Sequence, residues 1–186
     1  MTKQALPLAC FLLLAAHANA ADKQKPTVIP DGETVVGRCV GVHDGDSMTL
    51  LIDTPAGPRQ SKIRLDAIDA PELGQPFSNS SKQMLAGMVF EKECSVESLG
   101  PDKYGRTIGR VTVGGKDVNA LMLEAGMAWH FDKYDDRQSM AGRQEAARKA
   151  GAGLWADANA IPPWEWRKIP KAERNLKQQA ITRETE

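Results

Sequence analysis

Residues 34–53 read TVVGRCVGVHDGDSMTLLID, and this stretch decides the fold. Two runs rich in β-branched residues, TVVGRCVGV and DSMTLLID, flank the turn signal His43-Asp44-Gly45. An Asp-Gly pair between two such runs is among the strongest signals for a β-hairpin. The sequence therefore predicts two adjacent antiparallel strands, and the turn between them needs no functional explanation of its own.

Three further runs extend the β pattern: QSKIRLD at 60–66, KECSVES at 92–98 and RTIGRVTV at 106–113. Turn signals separate them, Thr54-Pro55-Ala56-Gly57-Pro58 before the third strand and Gly100-Pro101 before the fifth. In the third run, Arg64 alternates with Ile63 and Leu65, which predicts that Arg64 lies on the face opposite its apolar neighbours.

Three helices are predicted from apolar spacing. The first covers SNSSKQMLAGMVF at 78–90, with Ser80 and Gln83 in capping-box spacing. Its apolar face is predicted to contain Met84, Leu85, Met88 and Val89. The second lies within DVNALMLEAGMA at 117–128, with Gly126 as its C-terminal stop. The third covers roughly 136–150. The apolar face of the second contains Val118, Leu121, Met122 and Ala125.

Five strands with a helix after the third, followed by a helical C-terminal half, match a small closed barrel. We therefore expect an α+β fold, a five-stranded OB-type Greek-key β-barrel with three helices. The predicted domain covers residues 34–160, between a flexible polar leader at 21–33 and a charged C-terminal tail at 161–186.

Residues 1–20 have the form of a signal peptide. They contain an apolar run, Leu6–Ala16, and then Ala18-Asn19-Ala20, which has the small-x-small pattern of a cleavage site. The run is shorter than the roughly 20 residues that a membrane helix needs, and Cys10 lies too early in it for a lipid anchor. We expect a mature protein without a membrane segment, in the periplasm or the medium.

Charge and cysteine content limit the function classes. The signal peptide contains one base, Lys3, so the mature chain has 23 Lys and Arg against 24 Asp and Glu, a net charge of −1. A polyanionic substrate would therefore need a local positive cleft. Cys39 and Cys94 remain after export and can form a disulfide or stay as two buried thiols. Without a CxxC pair or nearby His they make a poor zinc site.

Polar residues cluster at the end of the third strand. Arg64, Asp69 and Glu72 lie at or just beyond it, and Pro71 restricts Ala70 to an extended conformation that can turn both acids toward one place. A solvated acidic loop is the alternative. A calcium loop of EF-hand type starting at Asp44 fails, because its sixth and twelfth positions would be Thr49 and Pro55.

A second cluster, Asp102-Lys103-Tyr104-Gly105-Arg106, precedes the fifth strand. An aromatic ring beside two cations suits a stacked base and a phosphate, and it equally suits a solvated hairpin entry. The spacing of these residues does not decide between the two interpretations.

The combination of motifs is more specific than any single one. DGDS at 44–47, IRLDAIDAPE at 63–72 and DKYGR at 102–106, ahead of GMAW and GLW, closely resemble the thermonuclease (staphylococcal-nuclease-like) family from about Thr34 to Trp155. The resemblance implies a nuclease on an OB-type barrel.

The resemblance also assigns roles to individual residues. It implies that Asp46, Asp69 and the Ala70 carbonyl bind one Ca²⁺ ion, and that Glu72 orients or deprotonates the attacking water. Arg64 and Arg106 take the positions that hold the scissile phosphate. The nucleotide pocket would contain Lys103, Tyr104 and Tyr134. Asp132 replaces a pocket tyrosine of the family, and Asp66 has no role to transfer.

The expected function is therefore an exported, monomeric, calcium-dependent endonuclease. It would hydrolyse the phosphodiester bonds of DNA and RNA with little sequence specificity, favour single-stranded or locally melted substrate, and leave 3′-phosphate products. The alternative is an OB-fold module that binds nucleic acid or protein and has lost catalysis. Such loss usually removes an arginine or the glutamate, and this chain has Arg64, Glu72 and Arg106.

Overall fold

The structure is a computed structural model, and it describes residues 26–176. Its barrel consists of five longer strands, numbered here in chain order. They are β1 (Thr34–Val42), β2 (Ser47–Ile52), β3 (Arg59–Leu65), β5 (Glu93–Pro101) and β6 (Thr107–Val113). Three short strands, β4 (Ile68–Asp69), β7 (Lys116–Asp117) and β8 (Trp129–His130), were not predicted from the sequence.

Strand pairing closes the barrel. The β1 strand pairs antiparallel with both β2 and β5, while β2 pairs with β3 and β5 pairs with β6. A parallel pairing of β3 with β6, in which Ile63 lies opposite Thr107, joins the two ends of the sheet. This order is that of the OB fold, so the predicted barrel is confirmed.

The core fills the barrel because the strands alternate inward and outward residues. In β3, Ser61, Ile63 and Leu65 are buried, whereas Lys62 is exposed and Arg64 is partly exposed. The predicted placement of Arg64 opposite its apolar neighbours is confirmed. The site therefore lies on the outer side of the barrel wall, at the end of β3.

Helix α1 covers Ser78–Val89 and corrects the predicted capping box. The N-cap is Phe77, in a left-handed conformation without a side-chain cap, so Ser80 and Gln83 lie inside the helix. The reason is the turn before the helix, in which the Ser78 N–H bonds to the Gln75 carbonyl at 3.1 Å. Leu85 and Val89 are buried as predicted, but Met84 is exposed.

The next two helices follow the prediction closely. Helix α2 covers Val118–Glu124 and buries Val118 and Met122, and Gly126 adopts a φ of 61° just beyond it. Helix α3 covers Gln138–Lys149. A short 3-10 helix at Gly153–Ala156 and helix α4 at Pro163–Trp166 follow, and residues 171–176 at the end of the described chain are also helical.

The short strands β4 and β8 hold the loop that follows the barrel wall. They pair antiparallel, with Asp69 opposite Trp129 and Ile68 opposite His130. Trp129 is buried and packs edge-on against Trp155 at 4.3 Å between ring centroids. Asp69 is therefore fixed by sheet pairing, and its backbone does not behave as an open loop.

Cys39 and Cys94 are free and fully buried, so of the two alternatives left open by the sequence the structure has two buried thiols. The register explains why: Cys94 lies opposite Gly37, two residues before Cys39. Each thiol instead faces a backbone carbonyl at 3.5 Å, Gly41 for Cys39 and Lys92 for Cys94. Burial raises the pKa of both thiols, which keeps them protonated.

The ends of the described chain pack onto the barrel. Ile29, in the predicted leader, is buried, and its N–H donates to the Thr107 hydroxyl at 3.0 Å. Trp166, in the predicted tail, is also buried. The predicted signal peptide lies outside the described residues. Within residues 26–176, no helix combines the length and the apolar character needed to cross a bilayer.

Candidate active site

The turn between β1 and β2 is built to present Asp46. The Asp44 Oδ1 atom accepts from the Asp46 N–H at 3.0 Å and from the Ser47 hydroxyl at 2.7 Å. Burial alone would raise the pKa of Asp44, but these hydrogen bonds lower it below its usual value. Gly45 lets the turn approach α1, because a Cβ there would lie 1.8 Å from the Ser81 hydroxyl and 2.8 Å from Cβ of Ala70.

Arg64 is the centre of the site. Its Nη1 atom donates to the carbonyls of Leu65 at 2.9 Å and Ile68 at 2.7 Å, and its Nη2 atom donates to Asp69 Oδ1 at 3.0 Å. The same guanidinium lies 3.2 Å from Asp46 Oδ2. One planar fork therefore joins the β3 end, the β4 strand and the hairpin turn.

Asp46 and Asp69 are buried carboxylates that share this guanidinium, with side chains 8% and 3% exposed. The Ala70 N–H also donates to Asp46 Oδ2 at 2.6 Å. Burial raises the pKa of Asp46 to about 8, and the charges of Asp44 and Asp69 act in the same direction while Arg64 opposes them. Burial thus favours the protonated form of Asp46, which a bound cation would reverse.

Glu72 lies beside this cluster, at the rim. Its backbone N–H donates to the Gln75 side-chain oxygen at 3.0 Å, which fixes the loop after Pro71. Its carboxylate pairs with Arg167, a residue of the predicted tail, at 2.5 Å. The Glu72 side chain is 37% exposed, so water reaches it.

Arg106 lies on a separate turn that meets the same barrel wall. Its Nε atom bonds to Asp102 Oδ2 at 2.7 Å, and it lines a cleft with Ser47 and Lys62. Tyr104 is 73% exposed, with the Arg106 guanidinium 5.7 Å and the Lys103 ammonium 5.0 Å from its ring centroid. The structure therefore brings Lys103, Tyr104 and Arg106 together on the barrel wall, beside the strand that contains Arg64.

Tyr134 is also 70% exposed, but its ring packs edge-on against Phe131 at 5.0 Å. Phe131 in turn stacks on Trp164 at 5.2 Å. Asp132, the departure from the family pattern, is exposed next to them. Tyr134 thus belongs to a group of packed aromatic rings that also contains Phe131 and Trp164.

Asp66 has a structural explanation. Its Oδ2 atom pairs with Arg137 at 2.6 Å and with Arg110 at 3.5 Å, which ties the β3 end to the start of α3 and to β6. The buried Asn119 side chain donates to the Asp66 carbonyl at 3.0 Å. Asp66 therefore joins elements together and does not face the Arg64 cluster.

Comparison with known proteins identifies the family of the chain. The family model described as "Staphylococcal nuclease homologue" matches residues 62–157. A protein of Shigella flexneri named micrococcal nuclease is 36% identical over 176 residues, covering 88% of this chain and 98% of the relative. An uncharacterized endonuclease of Haemophilus influenzae is 34% identical over 171 residues, covering 92% and 89%. Staphylococcal-like nuclease CAN1 of Arabidopsis thaliana is 40% identical over 168 residues, covering 90% and 50%.

The barrel and its arginine–carboxylate site define a class, the endonucleases that hydrolyse nucleic acid on an OB-type barrel. Within that class, the chain belongs to the staphylococcal nuclease homologue family, since the family model and long relatives above 30% identity both match it. The resemblance seen in the sequence is therefore confirmed.

The family uses a metal ion, and the residues present fit one. Within residues 26–176, no group of three or more His, Cys, Asp or Glu side chains is placed to hold a metal ion. The available donors are instead the carboxylates of Asp46 and Asp69 and the carbonyl of Ala70. An all-oxygen donor set suits a hard cation.

Sequence reasoning missed Gln75 and Arg167. Gln75 is buried and connects the Glu72 loop to the Ile161 carbonyl, to which it donates at 2.6 Å. Arg167 pairs with Asp69 across 98 residues of sequence. Both PPWEW at 162–166 and Arg167 were predicted to lie in a charged tail, and the tryptophan-rich PPWEW is a signal of packing that names no partner.

Proposed function

We propose that this protein is an exported, calcium-dependent nuclease that cleaves DNA and RNA with little sequence preference and leaves 3′-phosphate ends. The observation that supports this most is the buried cluster in which Asp46 and Asp69 share Arg64, with Glu72 at its rim. Such a cluster would combine a cation site, a phosphate-binding fork and a general base where the hairpin turn meets the end of β3.

In this proposal Asp46, Asp69 and the Ala70 carbonyl hold the calcium ion. When bound, calcium supplies positive charge that offsets the charge developing on the phosphoryl oxygens. Calcium takes six to eight oxygen ligands, so waters or substrate oxygens would complete the shell beyond the protein donors.

Arg64 has the right donors left over for a phosphate. Its three hydrogen bonds use both Nη1 hydrogens and one Nη2 hydrogen, so among the described residues the Nε hydrogen and one Nη2 hydrogen remain. Two N–H donors of one guanidinium can bind two phosphate oxygens. Arg106 uses Nε on Asp102 and keeps both Nη groups for the same purpose.

Glu72 acts as the general base in this proposal. Its carboxylate pairs with the Arg167 guanidinium and is accessible to water, so it takes a proton from the attacking water as the new P–O bond forms. The arginines bind the phosphoryl oxygens while the 5′-oxygen leaves, which would place the phosphate on the 3′ end of one product.

Tyr104, Lys103 and Tyr134 would bind the nucleotides next to the scissile phosphate. The two tyrosine rings are more than two-thirds exposed, and an exposed ring stacks a base only when that base is free of its partner strand. Single-stranded or locally melted substrate is therefore favoured. Export after cleavage near Ala20 and action as a monomer complete the proposal.

End-group analysis of the products tests this proposal. We expect 5′-labelled single-stranded DNA and RNA of one sequence both to be cleaved in calcium, with products whose mobility changes after phosphatase removes a 3′-phosphate. A matched duplex should react more slowly. Products with 3′-hydroxyl ends would contradict the proposed chemistry, and binding of single strands without cleavage would favour the inactive OB-fold module.

A further inference from the structure

Arg167 places a second guanidinium, besides that of Arg64, on the carboxylates of the site. Its Nη2 atom lies 2.6 Å from Asp69 Oδ2, and its Nη1 atom lies 3.3 Å from Asp69 Oδ1 and 2.5 Å from Glu72 Oε1. The Arg167 guanidinium therefore contacts both Asp69, the proposed metal ligand, and Glu72, the proposed general base. No other arginine described between residues 26 and 176 contacts both.

The backbone of Arg167 is held in place, so this contact does not depend on a free tail. The preceding Trp166 is 2% exposed, and the Arg167 N–H bonds to the Pro163 carbonyl at 2.9 Å. Trp164 stacks on Phe131, and Gln75 bonds to Ile161. Residues 161–167, called here the C-terminal segment, are thus packed against the loop that contains Glu72.

The contact uses the oxygens that a metal ion needs. Arg64 donates to Asp69 Oδ1, and Arg167 contacts both Oδ1 and Oδ2. A calcium ion must approach a carboxylate oxygen to 2.3–2.6 Å, about the distance at which Arg167 already lies from Oδ2. Two cations on one carboxylate oxygen repel each other, so the metal and Arg167 compete for Asp69.

We propose that Arg167 is a positioning residue of the nuclease site: its guanidinium occupies Asp69 and Glu72 in the metal-free protein and gives up Asp69 when a divalent cation binds. The C-terminal segment thereby sets the metal affinity of the site. This inference rests on the proposed metal-binding role of Asp69.

Arg167 keeps its charge throughout this exchange. Partial burial acts to lower its pKa, but the hydrogen bonds to Asp69 and Glu72 raise it further above an already high value. The guanidinium therefore leaves Asp69 only by moving, and the nearby Glu72 carboxylate remains as its partner. Such coupling is reciprocal. Arg167 lowers the affinity of the site for the metal by the same factor by which the metal weakens the contact between Arg167 and Asp69.

Calorimetric titration of the full mature chain with CaCl₂, without substrate, measures this coupling. We expect Arg167→Gln to bind calcium about tenfold more tightly than the wild type, because a competing charge is gone, and Arg167→Lys to lie between them. Arg143→Gln is the matched control, since Arg143 also pairs with one glutamate and has a similar exposure of 41%. It should leave the calcium affinity unchanged.

The outcomes separate this inference from the proposed function. Equal or weaker calcium binding by Arg167→Gln, with a wild-type circular dichroism spectrum, would overturn the competition and make Arg167 a residue that preorganises Asp69 or only packs. If neither protein binds calcium, the metal site and this inference both fail. Asp69→Asn should abolish binding in either background, and calcium binding that persists in Asp69→Asn would also overturn both.

Discussion

Asp46, Asp69 and Arg64 show how a few charged side chains become interdependent once they are buried. Each carboxylate is at most 8% exposed and relies on the same guanidinium. Removing one partner of such a cluster leaves an uncompensated buried charge, which typically costs about 3–5 kcal/mol. The cluster is therefore weak evidence for stability on its own. In the proposed function its arrangement serves to bind a cation and a phosphate.

Glu72 provides the most specific residue-level prediction. Glu72→Gln preserves size and hydrogen bonding but removes the base, so we expect the chemical step measured in single-turnover cleavage to fall by roughly 10² or more. Glu124→Gln is the control, because Glu124 is similarly exposed and also pairs with an arginine on the surface. Wild-type turnover in Glu72→Gln would remove Glu72 from the role of base.

The sequence predicted the residues of this site that lie within short motifs. Arg64, Asp69 and Glu72 cluster at a strand end, and the roles expected of them and of Asp46 came from the resemblance of the short motifs to the family. Arg167 was not predicted, because its partners lie 95 and 98 residues earlier and only packing of the C-terminal segment brings them together. Long-range contacts of single residues leave no periodic pattern in a sequence.

The hairpin turn gives an element-level prediction. Gly45→Ala would place a Cβ 1.8 Å from the Ser81 hydroxyl, so the turn must move away from α1 and carry Asp46 with it. We expect a loss of about 1–3 kcal/mol in the free energy of unfolding, measured by urea denaturation, together with weaker calcium binding.

Gly87→Ala is the control for this change. Gly87 lies within α1 and a Cβ there meets nothing within 4 Å, so the substitution should raise the free energy of unfolding by about 0.5–1 kcal/mol. Equal stability and calcium affinity in Gly45→Ala and the wild type would show that the close approach of turn and helix is unimportant.

The start of α3 depends on a buried carboxylate. Asp135, 7% exposed, pairs with Arg137 and lies 2.8 Å from His130 Nε2. Burial alone would raise the pKa of Asp135, but hydrogen bonds from Arg137 and His130 lower it. A lowered pKa in the folded state means that this stabilisation is present above the ordinary Asp pKa and is lost as pH falls through the folded value.

We therefore expect Asp135→Asn to lower the free energy of unfolding by about 1–2 kcal/mol at pH 7. The difference from the wild type should shrink as pH falls below about 4, the ordinary Asp pKa at which the unfolded chain takes up a proton, and should vanish below the lower pKa of the folded state. Urea denaturation across this range measures it, with the exposed neighbour Asp136→Asn as control. A difference that does not depend on pH would refute the ionic role of Asp135.

Helix prediction succeeded where packing and capping agreed. Gly126 and Gly151 both adopt left-handed conformations just beyond the predicted helix ends. The start of α1 was missed because Phe77 enters the helix through a turn that Gln75 sets, and this overrides the local capping signal of Ser80. A local capping signal therefore predicts the first residue of a helix only when no turn in the preceding residues fixes that start.

At the scale of the whole molecule, barrel closure is what assembles the site. The five strands were readable from β-branched runs, but the parallel pairing of β3 with β6 joins segments more than 40 residues apart and follows from the topology of the OB fold. That pairing puts the turn containing Arg106 next to the end of β3. A chain with almost no net charge thereby concentrates Arg64, Lys62 and Arg106 along one wall.

The central claim, a calcium-dependent nuclease, is tested most directly by the cleavage rate of fluorescently labelled single-stranded DNA with the purified mature protein. The rate is compared in calcium and in a calcium chelator, at equal ionic strength. The account predicts rapid cleavage in calcium and loss of cleavage in chelator that added calcium restores. Equal cleavage in both conditions, or none in either, would contradict it.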